Sequence, residues 1–253
     1  MGEPVLGGKG EAPTVRSYRV LQGPREIAMQ TFEILIEKPQ DFSFVPGQAM
    51  KFFIDGKRSR TLSMVSAPHE KSLRFAYRAG ETPFKKYVQG LKNGDRATLR
   101  DPTGRDTVYP EHEPRDVPLV MLAGGIGITA FMAIIAHAQY LADTRRFHLL
   151  YANPKVEYVA FKNEIDELRH SLRLSVGYFL TRAEAPGYER GRFSLKDLAG
   201  FASTKPAPLY YIAGSEQMVT TTRELLKDVG VTDERVRFTE FTHYVGYEEI
   251  SPA

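Results

Sequence analysis

Fourteen residues, Leu119 to Met132 (LVMLAGGIGITAFM), constrain the fold of this chain more than any other stretch. A run of β-branched and apolar residues stops at Gly124 and Gly125, and an apolar segment of helical length begins after Gly127 and Thr129. This reads as strand, tight glycine turn, helix. Such a turn lets backbone N–H groups approach a phosphate closely, and the N-terminus of the helix behind it carries partial positive charge. The G-G-x-G spacing differs from the G-x-G-x-x-G dinucleotide fingerprint, so a phosphate cradle and a plain strand-to-helix connection both stay open at this point.

The 253 residues suit one large or two small domains, and a hydrophobic fraction of 42% is enough for a sizeable core. The formal charge of +3 is spread along the chain without a basic run, which argues against nucleic acid and leaves small anionic ligands open. The absence of cysteine excludes disulfides, cysteine-ligated zinc and iron–sulfur clusters held by thiolates. Residues 1–13 (MGEPVLGGKGEAP) lack the apolar core of a signal peptide and read as a flexible tail, so the expected location is the cytoplasm. Val117 to Ala142 contains no formally charged residue and is long enough to cross a membrane. Pro118 and three glycines interrupt its first half, and each glycine costs about 1 kcal/mol in a helix interior. A buried strand followed by a buried helix is therefore expected, with no membrane span.

From Arg16 to Asp55 short strands alternate with turn residues: SYRVLQ, Ile27 to Glu37, and Gln48 to Ile54. Arg60 to Met64 and Leu73 to Ala79 continue the series, the second with Leu73, Phe75 and Tyr77 alternating with Arg74 and Ala76. Strands at this spacing without intervening helices predict an antiparallel sandwich or barrel over residues 14–108. One helix interrupts it: Thr82 suits its N-cap, Pro83 its first position, and Phe84, Tyr87, Val88 and Leu91 its apolar stripe. The proline-rich, charged residues 109–118 read as an interdomain linker. From Leu119 onward strands alternate with helices as far as Glu240, which predicts a mostly parallel sheet with helices on both faces. This second domain is expected over residues 119–244, with a C-terminal tail at 245–253. Ligands of such sheets bind beyond the carboxyl ends of the strands, where Gly124 to Thr129 lies.

Arg60-Thr61-Leu62-Ser63, running on through Met64-Val65-Ser66-Ala67-Pro68, puts an arginine and hydroxyl groups on a strand and the turn after it. Arginine can clamp a pyrophosphate with two hydrogen bonds, and a serine hydroxyl can bond to a ring nitrogen. Alone, the stretch also describes a surface hairpin. Several stretches recur in one order, however: R-T-L-S-x-x-S-A-P, Thr82 to Lys85 before a helix, D-P-T-G at Asp101, AGGIGIT, Tyr151-Ala152-Asn153, IAGSEQM at Ile212 to Met218, and Glu240-Phe241. Together they resemble the ferredoxin:NADP reductase superfamily of flavin-dependent oxidoreductases, from about Thr14 to Tyr244.

The resemblance implies two domains, an FAD-binding antiparallel β-barrel followed by an α/β parallel-sheet domain that binds NAD(P)H. It puts the FAD pyrophosphate on Arg60 and the reactive flavin nitrogen near Ser63, with Leu62 standing where a flavin-stacking tyrosine is usual. A second phosphate site is similar to Gly80, Thr82, Phe84 and Lys85. The pyridine-nucleotide loop is similar to Gly124, Gly125, Gly127, Ile128 and Thr129, with Ala130 where proline is common. The C-G-P-x-x-M element on the nicotinamide side resembles Ala213-Gly214-Ser215-Glu216-Gln217-Met218, alanine replacing cysteine and serine replacing proline. Glu240 and Phe241 resemble the acidic and aromatic pair close to the flavin, and Tyr244 or Tyr247 is a further candidate to cover the ring. Thr181 and Arg182, with Arg190 and Arg192, follow the strand where relatives recognise the adenosine ribose. An arginine there pairs with a 2′-phosphate and favours NADPH, and Glu184 and Glu189 oppose it.

No G-x-S-x-G, no H-E-x-x-H and no ligand-like spacing among the six histidines points to an esterase, a zinc hydrolase or a metal site. The expectation is a flavin-dependent oxidoreductase that takes hydride from NAD(P)H onto FAD, with Ser63 near the reacting atoms and Glu240 as proton relay. Electrons then pass to a separate acceptor: ferredoxin, a ferric chelate, free flavin or an oxygenase partner. A flavin-free NAD(P)-dependent dehydrogenase and a non-catalytic redox-sensing nucleotide-binding module are the alternatives.

Overall fold

The computed structural model describes residues 14–56 and 58–241; the segments 1–13 and 245–253, with Tyr244 and Tyr247, lie outside them. Six strands make the first sheet: β1 (Val15–Ala28), β2 (Thr31–Glu37), β3 (Ala49–Phe53), β4 (Ser59–Ser63), β5 (Ser72–Arg78) and β6 (Arg96–Thr103). They pair antiparallel in the order β4-β3-β6-β1-β2-β5, and the bridge between Met64 and Phe75 joins the two edges into a barrel. Alternate residues such as Val20, Ile34, Ile36, Phe52, Phe75 and Leu99 fill its interior. Helix α1 (Pro83–Gly90) turns Phe84 and Val88 into the same core, with the Phe84 ring 6.4 Å from that of Phe52 in an edge-on contact.

Two features depart from the strand reading. Ile27 and Ala28 end β1 rather than opening β2, because the chain reverses at Met29 and Gln30, where Gln30 takes a φ of 56°. Strand β6 was not anticipated, yet it runs between β3 and β1 and is central to the sheet.

The second sheet is parallel, in the order β10-β9-β8-β7-β11-β12. Its strands are β7 (Leu119–Gly124), β8 (Phe147–Asn153), β9 (Leu174–Leu180), β10 (Glu189–Arg190), β11 (Leu209–Gly214) and β12 (Val236–Glu240). Helices α2 (Thr129–Tyr140) and α3 (Lys162–Leu168) cover one face, and α4 (Leu195–Ala202) and α5 (Glu216–Asp228) the other. The uncharged stretch from Val117 to Ala142 is thus β7 and α2, both buried, and among the described residues no helix is long and apolar enough to cross a membrane.

The two sheets are tied together at several points. Val65 and Ala76 of the barrel pack in one apolar cluster with Leu119, Met121 and Phe131. Arg74 of β5 makes a two-bond fork to Glu164 of α3, at 2.9 and 2.8 Å, while its Nε donates to Glu33 of β2 at 2.9 Å. Thr107 and Thr239 share a 2.7 Å hydrogen bond. The expected linker is pinned to the second domain: the Tyr109 hydroxyl donates to Asp143 at 2.5 Å, and fully buried Arg145 donates to the carbonyls of Pro110 and Glu113 at 3.1 and 3.2 Å.

Candidate active site

Strand β7 has β8 on one side and β11 on the other, so the chain leaves it in opposite directions and a crevice opens beyond its carboxyl end. A cleft of about 960 Å³ occupies that crevice and extends over the barrel. Such a volume lies near the top of the range of about 300–1,000 Å³ usual for small-molecule sites.

From the barrel side Arg60, Leu62 and Ser63 of β4 line the cleft, together with Thr82, Phe84 and Lys85 at the start of α1. Thr82 caps that helix by accepting the Lys85 N–H at 3.4 Å, and Lys85 Nζ donates to the carbonyl of Ala79 at 3.2 Å. Burial and the neighbouring Arg78 push the Lys85 ammonium below its ordinary pKa, the expected result when two cations crowd one place. Gly80 faces the Lys85 side chain, and a Cβ there would stand 3.0 Å from its Cδ and Nζ. Arg60 donates to the carbonyl of Ser59 at 3.0 Å.

From the α/β side Gly124, Gly125 and Thr129 line the cleft. Gly125 to Ile128 form a single 3₁₀ turn that runs directly into α2, so unbonded amides of a helical N-terminus lie in the wall. Gly125 has a φ of 53°, a conformation that only glycine takes at little cost. Gly127 and Ile128 are buried behind the wall, and a Cβ at Gly127 would sit 2.0 Å from the carbonyl oxygen of Ala213. Gly214 is likewise buried at the end of β11, and Met218 reaches from α5 to lay its sulfur against both Gly124 and Gly214.

Arg182 and Arg192 line the far end of the cleft, whereas Arg190 is paired with Glu184 at 2.8 Å. Glu240 is exposed at the end of β12, in register with Gly214. Phe241 follows it, donates its N–H to the carbonyl of Gly214 at 2.8 Å, and packs on the apolar cluster. One cleft thus collects residues from both domains that stand far apart in the chain, Arg60 and Phe241 being separated by 181 positions.

Its charge is lopsided. Among the described residues, Arg60, Arg78, Lys85, Arg182 and Arg192 line it against the single carboxylate of Glu240. A glycine turn, two helix N-termini and five cations fit the pyrophosphates of anionic dinucleotides such as FAD and NAD(P)H.

Comparison with known proteins agrees with this geometry. Residues 121–224 match the oxidoreductase NAD-binding domain family. The fold aligns with a ferredoxin NADP+ reductase from Neisseria gonorrhoeae, solved with bound FAD and NADP, at a TM-score of 0.75 and 22% identity over 91% of this chain and 99% of that one. The two-domain fold is that of a ferredoxin NADP+ reductase, and the family match is confined to residues 121–224. A cytochrome P450 reductase from Amycolatopsis aligns at a TM-score of 0.79 and 19% identity, over 91% of this chain and 71% of that one. In sequence the chain is 27% identical to oxidoreductase NAD-binding domain-containing protein 1 of Xenopus laevis, covering 94% of this chain and 78% of the relative. It is 26% identical to the reductase component of propane 2-monooxygenase from Rhodococcus jostii, covering 81% and 57%.

One residue lining this cleft escaped the sequence reading. Arg78 ends β5, yet its guanidinium lies over the Tyr158 ring at 5.1 Å and beside Gly125, where a Cβ would approach its Nη2 to 3.3 Å. It is a barrel cation placed on the glycine turn of the other domain. It stands two residues before Gly80 of the second phosphate-site stretch, but its reach to the other domain shows only in the packing of the two domains.

Proposed function

We propose that this chain holds FAD on the barrel and NAD(P)H on the parallel sheet, and delivers electrons from the second through the first to a separate acceptor. The observation that carries the reading is the single cleft in which five cations from both domains flank a glycine turn. FAD, when bound, supplies the redox chemistry: two-electron exchange with the nicotinamide and one-electron exchange with the acceptor.

The chain's own residues bind and orient. Arg60, with Lys85 and the N-terminus of α1, neutralises the flavin pyrophosphate. Ser63, 5% exposed on β4, offers a hydroxyl to the reactive edge of the ring, and Leu62 gives that ring an aliphatic instead of an aromatic neighbour. The glycine turn, the start of α2 and Arg78 take the phosphates of the nicotinamide nucleotide. Arg182 and Arg192 lie where a 2′-phosphate would be read, which supports NADPH over NADH. Glu240 is the one carboxylate among the described lining residues and so the group there able to pass a proton to or from solvent. The names of two relatives, a propane monooxygenase reductase component and a cytochrome P450 reductase, support an oxygenase or another redox protein as acceptor. Ferredoxin, a ferric chelate and free flavin suit the same chemistry.

The test is the visible spectrum of the purified protein under anaerobic conditions, before and after each nicotinamide. Flavin bands that bleach within seconds, faster with NADPH, are expected. A colourless protein that releases no flavin on heating and still oxidises NAD(P)H would make it a flavin-free dehydrogenase. Flavin that stays oxidised would make it a binding module.

A further inference from the structure

The wall of the cleft contains a polar side chain that none of these contacts uses. Asn153 ends β8 and is 2% exposed, and neither Oδ1 nor Nδ2 of its carboxamide has a hydrogen-bond partner. Tyr151 lies two residues earlier on the same face of the strand, close enough for the two groups to sense each other. No bond of proper length and angle joins them, and the Tyr151 hydroxyl is itself unpaired. Buried amides in folded proteins are almost always satisfied, so one with both ends open marks a place where something else binds.

The position says what. Asn153 accepts the Thr181 N–H on its backbone carbonyl at 2.9 Å, and Pro154 accepts that of Arg182 at 2.9 Å, which fixes the end of β8 to the segment proposed to read the 2′ position. On the other side Ala152 is in register with Gly124, at the phosphate-binding turn. In an adenosine nucleotide the atoms between the phosphate and the 2′ substituent are those of the ribose. We propose that Asn153 is a specificity residue for that ribose, its Oδ1 accepting from a sugar hydroxyl and its Nδ2 donating to a neighbouring sugar oxygen. Asn153 already stands in the wall of the cleft. The inference rests on the dinucleotide reading above, and it assigns the ribose to a neutral amide that serves NADH and NADPH alike, while Arg182 distinguishes them by charge.

The flavin-loaded protein and its Asn153→Leu and Asn153→Asp variants are titrated calorimetrically with 5′-AMP, NMN, NADH and NADPH, and their melting is recorded. Asn153→Leu is expected to weaken 5′-AMP and dinucleotide binding about ten-fold, the worth of one good hydrogen bond. NMN affinity and flavin content stay at the wild-type level, and the variant melts no lower than wild type because an unpaired buried amide has been removed. Asn153→Asp is expected to lose more affinity, since a carboxylate beside the phosphates repels them. Wild-type 5′-AMP affinity in Asn153→Leu overturns the proposal, as does a loss confined to NMN or lowered melting with unchanged nucleotide binding. A wild-type protein that binds neither NADH nor NADPH overturns the dinucleotide reading and this inference with it.

Discussion

Met218 places one sulfur atom against two glycines, and this changes what those glycines are for. A Cβ at Gly124 would lie 2.2 Å from that sulfur, and one at Gly214 would lie 2.3 Å from it. The first glycine of the turn therefore makes room for a side chain of its own protein, while Gly125 carries the positive φ and Gly127 the close packing on Ala213. The three substitutions to alanine should separate accordingly. Gly127→Ala meets backbone, which cannot swing aside, and should cost about 1–3 kcal/mol, several degrees of melting temperature by circular dichroism. Gly124→Ala meets a flexible thioether, so stability should hold while the displaced Met218 enters the cleft and weakens NAD(P)H binding. Adding Met218→Ala should restore that affinity, and a double variant no better than Gly124→Ala alone would show the two are uncoupled. The cations divide in the same way. Arg182→Ala should reduce any NADPH preference and leave NADH affinity alone, whereas Arg78→Gln should raise both dissociation constants about ten-fold and flatten their salt dependence. Equal losses of NADPH and NADH in Arg182→Ala would remove it from the 2′ position.

At the scale of elements, α2 joins the cleft at one end to an aromatic cluster at the other. Its His137 ring stands edge-on to Tyr109 of the linker at 4.9 Å, and its Tyr140 ring stacks on His69 of the barrel at 4.2 Å with 5° between the planes. Burial, with His69 and Arg115 nearby, holds the His137 pKa below its usual 6.5, against the smaller opposing pull of Glu111 and Asp143. A lowered folded-state pKa means the neutral ring contributes stability above pH 6.5, and that contribution is lost as the pH falls further and protons bind the unfolded chain first. Burial and Arg146 depress His148 in the same direction. Melting temperature should accordingly decline by a few degrees between pH 6.5 and 5, and His137→Gln should make the decline shallower with His148 accounting for the remainder. An unchanged slope would place the titrating group elsewhere. Elements of this kind were legible in the sequence where local chemistry decides them. Thr82 and Pro83 start α1, and β9 and β12 span Leu174–Leu180 and Val236–Glu240, the residues their apolar pattern marks. The reversal at Gln30 was hidden because it uses none of the glycine, proline or asparagine that usually signals a turn. Strand β6 was hidden by the arginines on its outer face and the Asp-Pro near its end. Arg78 was illegible as a site residue because it matters through the packing of two domains, and Asn153, though it stands in the quoted Tyr151-Ala152-Asn153 stretch, was given no role because it matters through the partner it lacks.

For the whole molecule the question is whether two domains that share a site also share a folding transition. Their apolar cluster is continuous across the boundary, and Arg74 sets one guanidinium between Glu33 of the barrel and Glu164 of the other domain. Glu33 is nearly sealed from solvent, with a side chain 4% exposed, whereas that of Glu164 is 33% exposed, so the two carboxylates have unequal stakes in the pair. Removing the arginine leaves Glu33 with only the longer contact to Arg25, at 3.4 Å, and a buried carboxylate stripped of its main counterion typically costs about 3–5 kcal/mol. The retained Arg25 contact moves the expectation for Arg74→Met to the low end of that range, measured by urea unfolding. Glu164→Gln removes only the more exposed partner and should cost about 1 kcal/mol or less. Calorimetry should record one transition for the wild-type protein, with equal calorimetric and van't Hoff enthalpies, since neither domain can open without exposing part of a common core. If Arg74→Met splits that peak in two, the ion cluster couples the domains; if it lowers a single peak, the shared apolar surface suffices. A wild-type protein with two resolved peaks would contradict both and would mean that the cleft is assembled by nucleotides rather than by the chain.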